Sequence, residues 1–317
     1  MLLLIVQFIL GLVGLVLGAE WLVRGSASIA SAAGVRPLVI GLTIVALGTS
    51  SPELAVSVLA ALEERPDVAI GNIVGSNIAN LGLILGITAM IKPLAMQRIV
   101  VLREIPVMIA AALLASLIAF DGIISRWNGL VLLACFAAYT AMMLRTARVL
   151  PEIPLAEAVP HASGRPPMIK HAALAIAGLV TLVLGGRFLV NAAVAAASAM
   201  GVSELVIGLT VVAVGTSLPE LATSVLAAWR GHSDLAVGNI IGSNILNIFL
   251  ILGTTAVIHP VAARPEIFNL EIPIMVGFSV ALLPLVYRGM RLVRWQGVIL
   301  LSAYLVFVMF LIGRGTV

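Results

Sequence analysis

Apolar residues fill this chain in long runs that are separated by short polar segments. Ten of the runs have about 20 residues or more, the length that an α-helix needs to cross a lipid bilayer. The ten predicted spans are residues 2–23, 37–62, 68–91, 99–120, 127–147, 170–190, 204–229, 235–258, 267–287 and 293–313. The pattern therefore predicts an all-α, polytopic membrane protein.

A polar segment interrupts this pattern between the fifth and the sixth span. Residues 148–169 read RVLPEIPLAEAVPHASGRPPMI, and clustered prolines and charges are typical of connecting segments. We interpret the segment as a cytoplasmic linker between two five-helix halves, residues 1–147 and 170–317.

Composition supports a membrane protein and excludes several other classes. The 317 residues are 62% hydrophobic and 10% charged, whereas soluble domains carry about 25% charged residues. The pI near 9.8 does not indicate a nucleic-acid partner, because the charges are sparse and only 5% of residues are aromatic. The lipid bilayer is the expected environment.

The distribution of basic residues predicts the orientation. With the N-terminus outside, 13 of the 18 Lys and Arg residues lie in or beside inner loops and 5 lie outside. Basic residues are enriched on the cytoplasmic side of membrane proteins. We therefore expect a multi-pass protein of the cell membrane, with both termini outside.

Two blocks of sequence occur twice, each at an offset of 167 residues. Residues 41–54 and 208–221 read GLTIVALGTSSPEL and GLTVVAVGTSLPEL, with 11 of 14 positions identical. Residues 71–86 and 238–253 read GNIVGSNIANLGLILG and GNIIGSNILNIFLILG, with 12 of 16 identical. Because five spans separate the copies, the second half enters the bilayer in the opposite sense. The repeats are therefore predicted to be inverted, with the motifs at 41–86 and 208–253 antiparallel.

Both copies of the first block, residues 41–54 and 208–221, contain a glutamate inside an apolar run. These residues are Glu53 and Glu220. A carboxylate at membrane depth is unfavourable and usually marks a functional site. Pro52 has no N–H and clashes with the carbonyl of Gly48, so the helix must bend or break there. Thr49 and Ser50 lie four and three residues before Glu53, so that all three side chains can face one point. The second copy repeats this arrangement with Gly215, Thr216, Ser217, Pro219 and Glu220.

The second block supplies another wall of oxygen ligands. Ser76 and Asn80 are one helical turn apart, with Asn77 beside Ser76, and Ser243, Asn244 and Asn247 are the equivalents of Ser76, Asn77 and Asn80. The ligands are hard oxygens without a nearby thiol or imidazole, and Ca²⁺ prefers about six to eight such oxygens. Na⁺ can use the same ligands, and two carboxylates neutralise one Ca²⁺ or two Na⁺.

The duplicated motifs GTSSPE, GTSLPE, GSNIAN and GSNILN resemble those of the cation/calcium antiporter superfamily, in particular the prokaryotic sodium/calcium exchangers. The resemblance covers nearly the whole chain. It implies ion sites between spans 2, 3, 7 and 8, with spans 1 and 6 sliding as a gate. It places Ca²⁺ between Glu53, Glu220 and backbone oxygens of Thr49 and Thr216. It places Na⁺ near Ala213, Thr216, Ser217, Glu220 and Ser243, and near Ala46, Thr49, Ser50, Glu53 and Ser76.

The resemblance implies an antiporter that exchanges Na⁺ for Ca²⁺ by alternating access, without a bound cofactor. Potassium-dependent relatives typically carry Asp where this chain has Asn247, so K⁺ independence is expected. Exchange of three Na⁺ for one Ca²⁺ would be electrogenic. Ca²⁺/H⁺ or Na⁺/H⁺ exchange remains the alternative, because a glutamate can also carry a proton. The chain contains neither HExxH nor GxSxG, and we expect no enzyme activity. A monomer would suffice for transport.

Other charged residues indicate structural roles. Glu20 and Arg24 are spaced i, i+4 and suggest an ion pair on the helix surface, with a role in a gate as the alternative. Glu104 and Glu271 share the 167-residue offset near the start of spans 4 and 9, where a carboxylate suits the helix dipole. We therefore predict a role in capping or folding for these two residues rather than a role in transport.

Overall fold

The computed structural model describes residues 2–64, 66–147, 168–199, 213–262 and 267–315. Most of these residues are helical. Residues 148–167 of the predicted linker lie outside the described residues. Its last two residues belong to the following helix.

The helices follow the predicted spans closely. The first half contains α1 (Leu2–Ala33), α2 (Pro37–Thr49 and Ser51–Leu62), α3 (66–91), α4 (Val100–Ile118) and α5 (Arg126–Ala147). The second half contains α6 (Met168–Ala199), α7 (described as Ala213–Thr216 and Leu218–Trp229), α8 (Ser233–Ile258), α9 (267–287) and α10 (Arg294–Gly315).

Eight helices of the described ranges are long and apolar enough to cross a membrane, and the bent pair in α2 makes a ninth. They coincide with nine of the ten predicted spans. The remaining span, predicted at 204–229, is described only from Ala213 onward.

The predicted ends of the first and sixth spans were wrong. Instead of ending at residues 23 and 190, α1 continues to Ala33 and α6 to Ala199. The added segments read RGSASIASAA and NAAVAAASA. Alanine is the strongest helix former, so these segments continue the helix although their serines and Arg24 interrupt the apolar pattern.

The contact between α1 and α6 shows that the two halves are inverted. A Cβ atom on Gly18 would lie 2.4 Å from the Leu182 backbone nitrogen, and one on Gly25 would lie 2.6 Å from the Ala175 nitrogen. Residue numbers therefore rise along α1 as they fall along α6. These two helices are equivalent under the 167-residue offset, so their antiparallel packing confirms inverted repeats. Small residues let the backbones approach this closely.

Two other helix contacts repeat in the same way. A Cβ atom on Gly86 in α3 would lie 3.1 Å from the Gly297 carbonyl oxygen in α10. Its equivalent, Gly253 in α8, lies against Gly129 in α5, where an added Cβ would be 2.7 Å from the Gly253 oxygen. Each half therefore packs its third helix against the fifth helix of the other half.

Short strands between helices connect the halves at both ends of the molecule. They are β1 (Leu94–Ala95), β2 (Ile123–Ile124), β3 (Val261–Ala262) and β4 (Arg291–Leu292). β1 pairs antiparallel with β4, and β2 pairs antiparallel with β3. The offset relates Leu94 in β1 to Val261 in β3, so the two pairs are equivalent and lie at opposite ends.

α3 and α8 form the centre of the helix bundle. In the apolar part of α8, 94% of the residues are buried, compared with 22% in the apolar part of α1. Helix α1 exposes Phe8 and Leu12, as a lipid-facing helix should. The polar blocks of the sequence therefore lie on the most enclosed helices of the fold.

Candidate cation-binding site

Both broken helices are interrupted at the serine two residues before the proline. The two segments of α2 meet at an angle of 45°, and the backbone leaves the helical region at Ser50, with ψ near 7°. Ser217 in α7 has nearly the same conformation, with ψ near 6°. Pro52 and Pro219 occupy the first turn of the second segment, where a missing N–H breaks no hydrogen bond.

This break places each glutamate at a helix N-terminus inside the protein. Glu53 and Glu220 lie in the first turn of their second segments, where the helix dipole stabilises a negative charge. Their side chains are only 2% and 1% exposed. The same break ends the first segments, whose last carbonyl groups lack partners within the helix.

One of the freed carbonyls is partly satisfied by a neighbouring side chain. Ser51 donates a hydrogen bond from Oγ to the Gly48 carbonyl oxygen at 2.7 Å. The corresponding position in the second copy is Leu218, which has no hydroxyl group. The Gly48 carbonyl oxygen therefore already accepts one hydrogen bond in the first repeat.

Hydrogen bonds bring the two repeats together around the glutamates. Ser50 donates from Oγ to Glu220 Oε1 at 2.8 Å, and Ser217 donates from Oγ to Glu53 Oε1 at 3.3 Å. The Ser50 hydroxyl also lies 2.9 Å from Ser243 Oγ in α8. Each carboxylate is thus held by a serine of the other repeat, as expected if both motifs face a common centre.

The second oxygen of each carboxylate makes no hydrogen bond within the described residues. These atoms are Glu53 Oε2 and Glu220 Oε2, and neither glutamate forms an ion pair with a described Lys, Arg or His. A buried carboxylate without a partner is strongly disfavoured. A cation between the two groups would remove this cost.

Buried asparagines add oxygens of the same kind. Asn80 in α3 and Asn247 in α8 each begin a wide π-helical turn, at 80–84 and 247–252. Such turns are frequent at functional sites. Their Oδ1 atoms have no hydrogen-bond partner among the described residues, as is also true of Asn77 and Asn244. The available donors fit a hard cation such as Ca²⁺ or Na⁺.

The remaining predicted residues are placed unevenly. Ala46, Thr49 and Ser76 are buried, while Thr216 is half-buried and takes part in interactions of its own. Ala213 begins the described part of α7, but its side chain lies outside what the structure describes. Among all the residues that the structure describes, no three His, Cys, Asp or Glu residues form a metal-binding group. The oxygens of Ser, Thr and Asn must therefore provide much of any coordination.

Two asparagines that were not among the predicted site residues position the glutamates. Asn72 donates from Nδ2 to Ser57 Oγ at 2.9 Å and to the Glu53 carbonyl oxygen at 3.2 Å. The equivalent residue, Asn239, donates to Ser224 Oγ at 3.0 Å and lies 3.5 Å from the Glu220 carbonyl oxygen. All three residue types recur at the 167-residue offset, and that recurrence could have identified them.

Asn239 also links the site across the repeats. Its Oδ1 accepts a hydrogen bond from Thr49 Oγ1 at 3.0 Å. Close packing of α8 against α2 supports this contact, because a Cβ atom on Gly41 would lie 2.8 Å from the Leu235 carbonyl oxygen. A Cβ atom on Gly238 would likewise be 2.8 Å from the Leu38 oxygen. Glycine is required at both positions.

Two predictions about other carboxylates have different outcomes. Glu20 does pair with Arg24, and it also contacts Arg230 of α7. Of the two roles predicted for Glu104, capping is excluded, because this residue lies inside α4 and is completely buried. It accepts a hydrogen bond from Tyr139 Oη at 2.8 Å and pairs with Arg103. It therefore joins α4 to α5.

Comparison with known proteins assigns this architecture to a family. The family model described as sodium/calcium exchanger protein matches residues 3–145 and 170–313. The chain belongs to the sodium/calcium exchanger family.

Individual relatives of this exchanger share its full length. Sodium/calcium exchanger MaX1 of Methanosarcina acetivorans is 33% identical over 338 residues, covering 96% of this chain and 97% of that protein. Inner membrane protein YrbG of Escherichia coli is 36% identical over 315 residues, with 96% of each chain covered. A structure of the sodium-calcium exchanger NCX_Mj, soaked with 10 mM Na⁺ and zero Ca²⁺, matches with a TM-score of 0.84 at 34% identity. That match covers 96% of this chain and 98% of the other.

These similarities confirm the resemblance noted in the motifs. The exchanger is a multi-pass membrane protein of a transporter family rather than an enzyme.

Proposed function

We propose that this exchanger moves Na⁺ and Ca²⁺ in opposite directions through the site between α2, α3, α7 and α8. The observation that carries the proposal is the pair of buried carboxylates, each held by a serine of the opposite repeat. Two carboxylates balance one Ca²⁺ or two Na⁺, so the two ions compete for one set of oxygens. The similarity to MaX1 and NCX_Mj, both named sodium/calcium exchangers, supports the same pair of ions.

The proposed ligands are the predicted residues, grouped by helix. Helix α2 supplies Ala46, Thr49, Ser50 and Glu53; α7 supplies Ala213, Thr216, Ser217 and Glu220; α3 supplies Ser76 and Asn80; and α8 supplies Ser243 and Asn247. The alanines would contribute backbone carbonyls. The bend in α2 supports this role, since broken helices commonly form ion sites in transporters.

Alternating access would come from movement of α1 and α6 across this core. The glycine-lined contact between them supports the proposal, because small residues leave a smooth surface along which helices can shift. Two of the four helices that form the site, α3 and α8, are enclosed by other helices. A mobile pair could therefore expose one end of the site at a time while the core keeps its shape.

Several finer features belong to the same proposal. Asn247 leaves the site with two acidic residues, which favours K⁺ independence, and a ratio of three Na⁺ to one Ca²⁺ would make exchange electrogenic. We place both termini on the outer side of the cell membrane and the segment 148–169 in the cytoplasm. This segment joins the two five-helix repeats, residues 1–147 and 170–317. The name of YrbG, an inner membrane protein, is consistent with that membrane.

Flux measurements on the purified protein test the proposal against Ca²⁺/H⁺ or Na⁺/H⁺ exchange. Uptake of radioactive Ca²⁺ into liposomes is measured with an imposed Na⁺, H⁺ or K⁺ gradient in turn. We expect uptake only with the Na⁺ gradient, together with a dependence on membrane potential. Equal uptake driven by a proton gradient at constant Na⁺ would replace the proposal with the alternative.

A further inference from the structure

An ion pair joins α1 to the end of α7. Arg230 contacts Glu20 through two bonds, from Nη2 to Oε1 at 2.7 Å and from Nε to Oε2 at 3.1 Å. The guanidinium also lies over the ring of Trp229, 5.6 Å from its centre. This paired geometry fixes the relative position of two helices, one of which belongs to the proposed mobile pair.

The internal repeat relates this ion pair to a second pair of charged residues. The offset of 167 carries Glu20 in LVLGAEWLV onto Arg187 in LVLGGRFLV. It carries Glu63, the residue after α2, onto Arg230, the residue after α7. The charges are exchanged at both positions, so the second pair again has opposite signs.

The two pairs lie at opposite ends of the molecule. Helix α3 begins just after Glu63 and ends next to Lys92, whose Nζ lies 3.4 Å from the Trp229 carbonyl oxygen. The 26 residues of α3 span roughly 39 Å at 1.5 Å per residue. On the antiparallel α1 and α6, Glu20 lies beyond Gly18 towards one end, and Arg187 lies beyond Gly185 towards the other.

The first of the two pairs is formed in this structure, whereas the second is not. Glu20 is engaged by both Arg24 and Arg230. Arg187 is exposed and forms no ion pair with any residue in the described ranges. At the end with Lys92, the first helix of one repeat is thus joined to the second helix of the other.

We propose that Glu20–Arg230 and Glu63–Arg187 are alternating ion pairs, each formed when the exchanger is closed at its own end. The inference rests on the proposed exchange by movement of α1 and α6. A shift of one helical turn is about 5.4 Å, which would break the Glu20–Arg230 contact. By the symmetry of the inverted repeats, the opposite state would place Glu63 and Arg187 in the equivalent arrangement. Each pair would stabilise one of the two access states, and ion exchange would require both.

The test measures the apparent KM for Ca²⁺ separately at each face, in membrane vesicles of known orientation. Glu20→Gln should destabilise the state closed at the Lys92 end. The apparent KM should then fall at that face and rise at the opposite face, each by about two- to five-fold, because binding scales with the fraction of competent protein. Arg187→Gln should produce the reverse shifts.

Arg24→Gln serves as the matched control, because the pair of Arg24 with Glu20 lies within one helix and exists in both states. It should leave both KM values unchanged. The exchanged double variant Glu63→Arg with Arg187→Glu should restore the wild-type values, whereas Glu63→Arg alone should behave like Arg187→Gln. A purely structural role would lower the amount of folded protein without moving the two faces in opposite directions.

Wild-type vesicles distinguish failure of the proposed exchange from failure of the proposed ion pairs. Absence of Ca²⁺ uptake driven by Na⁺ would remove the proposed function and this inference with it. Normal wild-type uptake combined with shifts of the same sign in Glu20→Gln and Arg187→Gln would overturn the inference alone. If Glu20→Gln does not fold, the Arg187 and Glu63 variants decide the question, and values like those of Arg24→Gln would contradict the inference.

Discussion

The two repeats are most alike at the glutamates and the polar groups that hold them, and they differ at positions further from the carboxylates. Glu53 and Glu220 have equivalent backbone positions, equivalent serine partners and equivalent asparagines behind them. By contrast, Ser51 corresponds to Leu218, and Glu20 corresponds to Arg187. The difference indicates that ion coordination requires both halves to be the same, whereas the states of access require them to differ at any one moment.

The largest expected effect tests whether the two halves are equal at the site. Glu53→Gln and Glu220→Gln each remove one of two buried charges that balance the ion. We expect each to reduce Ca²⁺ flux driven by Na⁺ at least 100-fold, roughly 3 kcal/mol, while the thermal unfolding temperature stays the same or rises. Glu64→Gln, at the exposed turn after α2, is the control. Full exchange by either variant would contradict the site assignment.

The second largest effect is the loss of stability expected when an added methyl group crowds the contact between α1 and α6. Gly185→Ala places a Cβ atom 2.6 Å from the Leu15 backbone nitrogen, which should destabilise the protein by about 1–3 kcal/mol. We expect a lower unfolding temperature and a slower rate of exchange. The neighbouring Gly186→Ala is the matched control, because its Cβ would meet nothing nearer than 3.8 Å. Similar behaviour of both variants would show that the close contact is unimportant.

Similar effects are expected from the two asparagines that support the glutamates. Asn72→Ala removes bonds to Ser57 and to the Glu53 carbonyl, and Asn239→Ala removes the bond to Ser224 and the acceptor of Thr49. At about 1 kcal/mol per hydrogen bond, the apparent affinity for Ca²⁺ should fall about ten-fold in each variant. Equilibrium Ca²⁺ titrations measure the two losses. An unchanged affinity in either variant would contradict the positioning role of that asparagine.

The smallest effect concerns the residue between Ser50 and Pro52. Ser51→Ala removes the hydrogen bond to the Gly48 carbonyl and makes the first break resemble the second. We expect a loss of about 1 kcal/mol or less in the free energy of unfolding and a change of less than five-fold in the KM for Ca²⁺. Denaturation and flux assays measure the two quantities. A loss as large as that of Glu53→Gln would mean that Ser51 itself coordinates the ion.

Much of this arrangement could be predicted from the sequence because the bilayer imposes strong rules. Apolar length gave nine of the spans that the structure describes, and the repeat predicted that Glu53 and Glu220 share one site. Prolines at 52 and 219 marked the breaks, since a proline ring and a continuous helix are incompatible.

Other features depended on contacts that no local pattern contains. The ends of α1 and α6 were misplaced because serines and Arg24 looked like a loop, although the helix continues through alanines. Glu104 was assigned to a helix end, whereas the π-helical turn at 100–104 carries it inside towards Tyr139. Asn72 and Asn239 lay within the repeated blocks, but only their positions behind the glutamates distinguish them from ligands.

The paired strands and the α1–α6 contact have a consequence for how the protein is made. β1 completes its ladder only with β4, β2 only with β3, and α1 covers its glycine surface only with α6. In every case, the partner lies in the half that the ribosome synthesises second. The first five helices must therefore enter the bilayer unfinished, with backbone groups and a flat helix face exposed until their inverted counterpart arrives.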